Sequence, residues 1–425
     1  MGVGAQQSEE DPALPLTAEL APSRVPHTFR ALRHRNFRLF IGGQIVSLVG
    51  TWMQNVAQSW LVYRLTHSEL LLGTAWFCSQ IAVFALGPLG GLAADRFSRR
   101  KVVIVTQTLS MAQAFVLAAL TLSGRVQVWH VLALAGVLGV INAFDIPGRQ
   151  ALVIQMTSKQ DLINAISLNS AVFNAARVVG PAAAGLLLSV VGEGTCFLIN
   201  GLSFLAVIVS LTAMRIAPAH PSEHAPVWQH LVDGFRYAAN HSAVRRLLAL
   251  MGATTLACSP GLVLMPFFAE DIFHRGSRGL GILMGAMGIG AVIGTLTLAR
   301  RTRLSGLANV MVWSGLTTGA CYMIFSLSSL FYFSLAIMPL VGYSVMRQMA
   351  SANTTIQTLI PDEYRGRIMA LYSMTVVGLG PFGSLAAGAL AGRYGARATM
   401  AAGGVLALVS STIFAWHLRR DPIAA

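Results

Sequence analysis

The sequence predicts an all-α membrane protein, with twelve transmembrane helices in two pseudo-symmetric six-helix bundles. Three observations carry that prediction. The chain is too apolar for an ordinary water-soluble domain: 55% of its 425 residues are hydrophobic and 11% charged, with a mean hydropathy of +0.64. A typical globular chain is about one quarter charged. The apolar residues fall in separate runs, each near the length of about 20 residues that a helix needs to cross a hydrocarbon core. The later runs repeat features of the earlier ones at a fixed offset.

The first six runs lie at about 38–62, 71–94, 102–123, 128–150, 163–191 and 195–214, and the second six at about 246–269, 279–299, 307–327, 330–353, 368–392 and 396–418. They divide the chain into a tail (1–28), an N-terminal bundle (29–215), a linker (216–245), a C-terminal bundle (246–418) and a short end (419–425). The tail is polar and acidic around Gln6-Gln7-Ser8-Glu9-Glu10-Asp11 and reads as disordered. The linker opens with Pro218, Pro221 and Pro226. It then places Trp228, Leu231, Val232, Phe235, Ala238 and Ala239 at spacings of three and four. That spacing predicts a short amphipathic helix lying along the membrane surface.

Basic residues set the orientation. The tail, the even-to-odd loops and the C-terminus hold roughly 22 of them, among them Arg96, Arg99, Arg100, Lys101, Lys159 and Arg303. The other side holds roughly 6: Arg64, Arg125, Arg275, Arg278, Arg393 and Arg397. The excess of positive charge on cytoplasmic loops places both termini in the cytoplasm of a bacterial inner membrane, with many passes between. The net charge of +14 is thus a matter of topology, and nucleic acid is not expected as a partner.

The repeat appears when the first half is shifted by about 203 residues. Gly180 then falls on Gly383, Gly185 on Gly388, Gly192 on Gly395, Leu168 on Leu371 and Ser170 on Ser373. A two-half plan of this kind places the substrate site between the halves near the bilayer midplane. Gly281/Gly285, Gly290/Gly294 and Gly388/Gly392 are small-xxx-small pairs that predict close helix packing.

Chemistry of other kinds is not signalled. Cys78, Cys196, Cys258 and Cys321 are scattered in apolar runs and read as buried thiols. There is no metal-ligand spacing, no Lys-Ser/Thr phosphate loop and no nucleophile elbow. An enzyme, a metal site and a cofactor are therefore not expected, and the proton gradient is the natural energy source.

Between spans 2 and 3 the chain reads Gly91-Leu92-Ala93-Ala94-Asp95-Arg96-Phe97-Ser98-Arg99-Arg100-Lys101. The aspartate is acceptor-only and suits a helix N-terminus or an arginine. This loop resembles the signature of the major facilitator superfamily, with Ser98 in place of the usual glycine. The resemblance implies that Gly91, Asp95, Arg96 and Arg100, with Arg149 in the next terminal-side loop, form a latch for the outward-facing state. The matching loop of the second half, Gly294 to Arg303, has Leu298 at the aspartate position. A more specific stretch follows: Pro147-Gly148-Arg149-Gln150-Ala151, Leu168-Asn169-Ser170, Asn174-Ala175-Ala176-Arg177-Val178-Val179-Gly180-Pro181, and Pro361-Asp362-Glu363-Tyr364-Arg365-Gly366-Arg367 before span 11. With Asn36-Phe37-Arg38 and Trp52-Met53-Gln54 at the start, residues 30–420 resemble the drug/proton-antiporter branch that includes enterobactin and macrolide exporters. Gly180, Pro181 and Gly185 are similar to the bend of antiporter span 5, since proline removes a hydrogen bond and small residues admit a partner helix.

Polar groups inside spans are the remaining clues. Gln44, Ser47, Thr51, Gln54 and Gln58 form one stripe on span 1, which must face other helices or a wet cavity. The family resemblance assigns spans 1, 4, 7 and 10 to the cavity, which makes Gln44, Thr51, Gln54, Gln58, Asn142, Tyr343 and Arg347 its candidate lining. Asp145 is the clearest carboxylate within a span, and Arg347 and Arg177 are the embedded cations. These three are the candidates for proton coupling, with Asp145 as carrier and Arg347 as its competing partner; a fixed ion pair is the alternative. Glu270 and Asp271 end span 7 and read as a solvated rim. The sequence thus predicts a monomeric secondary exporter in contact with lipid, moving a small siderophore-like or drug-like molecule by proton antiport and alternating access. The alternatives are a lipid or lysophospholipid transporter, a uniporter and a non-transporting receptor.

Overall fold

The computed structural model describes residues 27–158, 160–215, 227–301 and 305–421. Most of the polar tail, Lys159, the linker prolines and Arg303 lie outside those residues, as do the final four. A short helical turn, His27–Arg33, leads into α1 (Arg35–Thr66), α2 (Glu69–Arg96), α3 (Arg99–Leu122) and α4 (Val128–Gln155). The stretch Leu162–Thr212 is two helices, α5 (162–191) and α6 (193–212), broken at Gly192. The linker contributes α7 (Val227–Asn240). The second half holds α8 (Ser242–Val263), α9 (Gly276–Ala299), α10 (Leu307–Leu327), α11 (Phe331–Leu359), α12 (Asp362–Tyr394) and α13 (Ala396–Arg420).

Nine helices of the described residues are long and apolar enough to cross a membrane, and one of these is the double stretch Leu162–Thr212. The helices α1, of 32 residues, and α11, of 29, have the length but carry polar groups along one face. Counting them accords with twelve crossings. Large apolar side chains stand exposed around the bundle, such as Val190 and Ile163, at 81% and 80%. In water they would be an association hazard; against lipid they are what a spanning helix requires.

The internal repeat is visible in the backbone. Gly192 has φ 75°, ψ 177°, and Gly395 has φ 86°, ψ 158°. Both lie in a region almost exclusive to glycine, and each breaks one helix into the next. The same pseudo-symmetry governs contact between the halves, where α5 meets α9 and α2 meets α12. A Cβ on Gly185 would sit 2.8 Å from the Cα of Gly281, and one on Gly388 would sit 3.1 Å from the Cα of Gly73. Backbone touches backbone at both crossings. Of the other paired glycines, Gly290 and Gly294 admit α11, Gly285 approaches Ala182, and Gly392 faces open space.

These crossings lie toward the side opposite the chain termini. On that side Arg64 at the end of α1 pairs with Glu193 at 2.7 Å. The terminal side is tied differently. Arg100 donates to the Thr212 carbonyl at 2.8 Å, and Asn36 to that of Arg215 at 2.8 Å. Arg246 pairs with Asp421 at 2.7 Å. Asp161, between α4 and α5, gathers Arg33 at 2.7 Å, His34 at 2.7 Å and Arg30 at 3.5 Å. The linker helix α7 rests on the start of α12, where Tyr237 stacks on Tyr364 at 4.5 Å and Ala238 is buried.

Candidate functional site

A cavity of about 250 Å³ lies between the halves at mid-depth. The N-terminal half supplies Trp76 and Gln80 from α2 and Arg177 from the middle of α5. The other half supplies Thr255, Cys258 and Ser259 from α8, Met287 from α9, Tyr322 from α10, Met346 and Met349 from α11, and Ser384 from α12. The three methionines give the wall an adaptable shape. A small annex continues past Trp52 and Asn55 of α1 to Pro181 and Gly288.

Arg177 is at the centre of this geometry. Its guanidinium lies 5.5 Å from the Trp52 ring centroid. Among the described residues no carboxylate pairs with it. The α9 backbone crosses at the same level, since a Cβ on Gly288 would lie 2.9 Å from the Arg177 carbonyl. Gly180, Pro181 and Gly185 let α5 pack closely here. Gly180 accepts the α1 backbone at Val49, and Gly185 accepts α9 at Gly281. This glycine segment therefore has one face within its own half and one against the other half.

Asp145 belongs to a separate cluster, which differs from the expected pairing. Its carboxylate is buried, at 2% exposure. Thr106 Oγ1 donates to it at 2.8 Å and Gln107 Nε2 at 2.9 Å, both from α3. Arg149 Nε, one helical turn on, is 2.6 Å from its other oxygen. Arg149 also donates to Gln44 Oε1 on α1 at 3.2 Å. Arg347, the expected partner, instead donates to Tyr343 Oη on its own helix. Arg347 and Tyr343 line another pocket, with Arg301, Asn309 and Trp313, and are absent from the lining of the inter-half cavity.

The α1 stripe is likewise placed differently. Gln54 is buried, donating to Gln113 of α3 at 3.2 Å and accepting from Asn200 of α6 at 2.7 Å. Thr51 bonds back to the Ser47 carbonyl at 2.9 Å. Gln44, Thr51, Gln54, Gln58 and Asn142 are not among the residues lining this cavity or its annex. The cavity edge of α1 is Trp52 and Asn55, beside the stripe. Periodicity identifies the stripe, but the donors that meet it come from helices far along the chain.

At the end of α2, Asp95 lies 3.9 Å from Arg99, which opens α3. Arg99 reaches the carbonyls of Ala94 and Ala151, each at 3.4 Å. Gly91 faces open space and Arg96 is exposed. Asp271, expected as a solvated rim group, accepts a hydrogen bond from Tyr63 of the other half. No group of His, Cys, Asp and Glu fit for a metal occurs among the described residues.

Comparison with known proteins agrees with this architecture. Residues 27–422 match the family model described as transmembrane secretion effector. The chain is 24% identical to the staphyloferrin A transporter of Staphylococcus aureus, covering 89% of this chain and 95% of that one. It is 25% identical to the multidrug efflux pump Tap of Mycolicibacterium fortuitum, covering 86% and 91%. It is 24% identical to the enterobactin exporter EntS of Shigella boydii, covering 80% and 81%. With one family model spanning nearly its whole length and two pseudo-symmetric six-helix halves meeting over a cavity, the chain belongs to the transmembrane secretion effector family of the major facilitator superfamily.

Proposed function

We propose that the chain is a secondary active exporter that moves a small siderophore-like or drug-like molecule by proton antiport and alternating access. The observation that carries this reading is the mid-depth cavity lined by both halves, beneath crossings that join the halves on one side. The similar transporters of staphyloferrin A and enterobactin and the multidrug pump support the substrate class. The bias of basic residues supports an inner-membrane chain with cytoplasmic termini. With that orientation the closed side is external, and the arrangement is inward-facing.

The proton is carried by Asp145. Ionised, it holds Arg149 at 2.6 Å and accepts from Thr106 and Gln107. Protonation removes the charge that fixes Arg149, whose other contact is Gln44 on α1. The occupancy of one carboxylate is thereby transmitted from α4 to α1, a helix packed against α5. A buried ion pair needs its remaining lone pairs satisfied, and the two α3 donors do this in the ionised state. Proton entry from outside and release inside then drive the halves about the cavity in opposition to substrate. The unit of function is the monomer in its lipid, and the proton gradient supplies the energy.

The test is intravesicular pH in proteoliposomes carrying a preset proton gradient, with siderophores and aromatic drugs added one at a time. Substrate-triggered proton flux that disappears in Asp145→Asn is expected. Flux that survives in the variant assigns the proton to another group, and absence of flux with every compound in folded protein overturns antiport.

A further inference from the structure

We infer that the inter-half cavity is an oxyanion site, so that the transported molecule presents a carboxylate or equivalent anionic group to Arg177. The inference rests on the export reading for its biological sense, and on the chemistry of the cavity wall for its content.

Three donors on residues of this wall have no carboxylate or hydrogen-bond partner among the described residues. Arg177 supplies a guanidinium with no carboxylate partner among the described residues, held at 5.5 Å from the face of Trp52. Trp76 Nε1, which can only donate, is buried without a hydrogen-bond partner. Thr255 Oγ1 is in the same condition, on a residue 8% exposed. These residues come from α5, α2 and α8, thus from both halves, and all line one cavity. No Asp or Glu is among its lining residues.

An unpaired cation at mid-depth in a bundle is costly. Arg347 turns to Tyr343 on its own helix, whereas Arg149 is neutralised by Asp145 and Arg64, at the end of α1, by Glu193. Arg177 is not, yet the cavity keeps two further donors unspent around it. A carboxylate completes the set: it accepts from the guanidinium in a charge-assisted, two-pronged contact and has lone pairs left for the indole and the hydroxyl. A cationic guest meets uncompensated positive charge instead. The rest of the guest faces aromatic and methionine side chains, which asks for an apolar or aromatic body. Because the donors are divided between the halves, such an anion also bridges them, so its presence favours the closed approach of α2 and α5 to α8.

The test uses the full chain in phosphatidylcholine nanodiscs, where no anionic lipid competes, with tryptophan fluorescence as readout. The probes are 2-naphthoate and its uncharged amide. The naphthoate is expected to bind about tenfold tighter than the amide, a preference of the size given by one charge-assisted contact. Arg177→Gln abolishes the preference and Arg177→Lys retains part of it. Trp76→Phe, which keeps a ring and removes the donor, weakens the naphthoate several-fold and leaves the amide unchanged. Equal binding of the two probes, no binding of either at the solubility limit, or a preference that survives Arg177→Gln overturns the inference. The export reading fails separately. Naphthoate binding through Arg177 with no substrate-triggered proton flux keeps the site and removes antiport. Unimpaired flux in Arg177→Gln keeps antiport and removes the site.

Discussion

Tyr63 and Asp271, 208 positions apart, join the two halves by a hydrogen bond of 2.7 Å from the phenol to the carboxylate. The Tyr63 ring also meets Phe267 edge-on at 4.8 Å. The bond adds a polar tie to the closure, on the side where Gly185 and Gly281 touch. Tyr63→Phe keeps the ring and removes the donor. The closed-to-open ratio is expected to fall about fivefold, the worth of a hydrogen bond near 1 kcal/mol. Spin-label distances between cysteines placed at Leu70 and Tyr394, in a background lacking the native thiols, measure this as a longer, more populated separation.

Gly185→Leu addresses the crossing itself. The side chain would have to occupy space held by the Gly281 backbone, and overpacking of that kind costs about 1–3 kcal/mol. Transport is expected to fall about tenfold or more, while the thermal midpoint stays close to wild type because each half remains intact. A large drop in the midpoint would place the glycine in the folding of the half rather than in its approach to the other.

Gly192→Ala and Gly395→Ala have the opposite signature. Their backbone angles suit glycine and strain any other residue by about 1–3 kcal/mol. Both variants are expected to lose stability by similar amounts, since the two positions are counterparts in the repeat. Thermal unfolding in detergent compares them directly.

Gln54→Leu strips a buried network of its middle member, leaving Gln113 and Asn200 each short of a partner. Membrane hydrogen bonds are worth about 0.6–2 kcal/mol, and a loss of stability in that range is expected. Because Gln54 stands off the cavity, the ratio of affinities for different substrates should not change. A shift in substrate preference would return Gln54 to the cavity wall.

Asp161 makes stability on the terminal side depend on pH. The His34 hydrogen bond, then Arg33 and Arg30, hold its carboxyl below the usual carboxylate range. A depressed native value stabilises the fold above the unfolded pKa, and that contribution is lost as pH falls through the native value. Asp161→Asn should therefore expose the His27–Arg33 turn to hydrogen exchange strongly at neutral pH. The difference from wild type should shrink in acid, where wild type loses the same charge.

Some of this was readable in the residues and some was not. Long apolar runs need only local composition, so the spans emerge from the sequence with modest errors at their ends. The glycine repeat is also local, and Gly192 and Gly395 turn out to share a backbone state as well as an offset. Asp145 stands out because a carboxylate in an apolar span is rare. Its partner was harder to find: depth pointed to Arg347, whereas helical geometry put Arg149 one turn away, at a position the predicted end of span 4 obscured. The tie between Tyr63 and Asp271 left no trace, since neither residue type is unusual at the end of a span. The orphaned donors of Trp76 and Thr255 depend on which side chains of other helices pack beside them, and the sequence carries no sign of that.

The two glycine crossings also set the gearing of the molecule. The helix α2 has 28 residues, a rod of roughly 42 Å. Tilting such a rod by about 10° about its middle moves each end by about 4 Å, and two halves tilting in opposition double the gap. A crossing placed off-centre is a short lever on one side and a long one on the other. Parting two bare backbones by the thickness of a side chain is then enough to swing the distant ends across a passage wide enough for an aromatic ring.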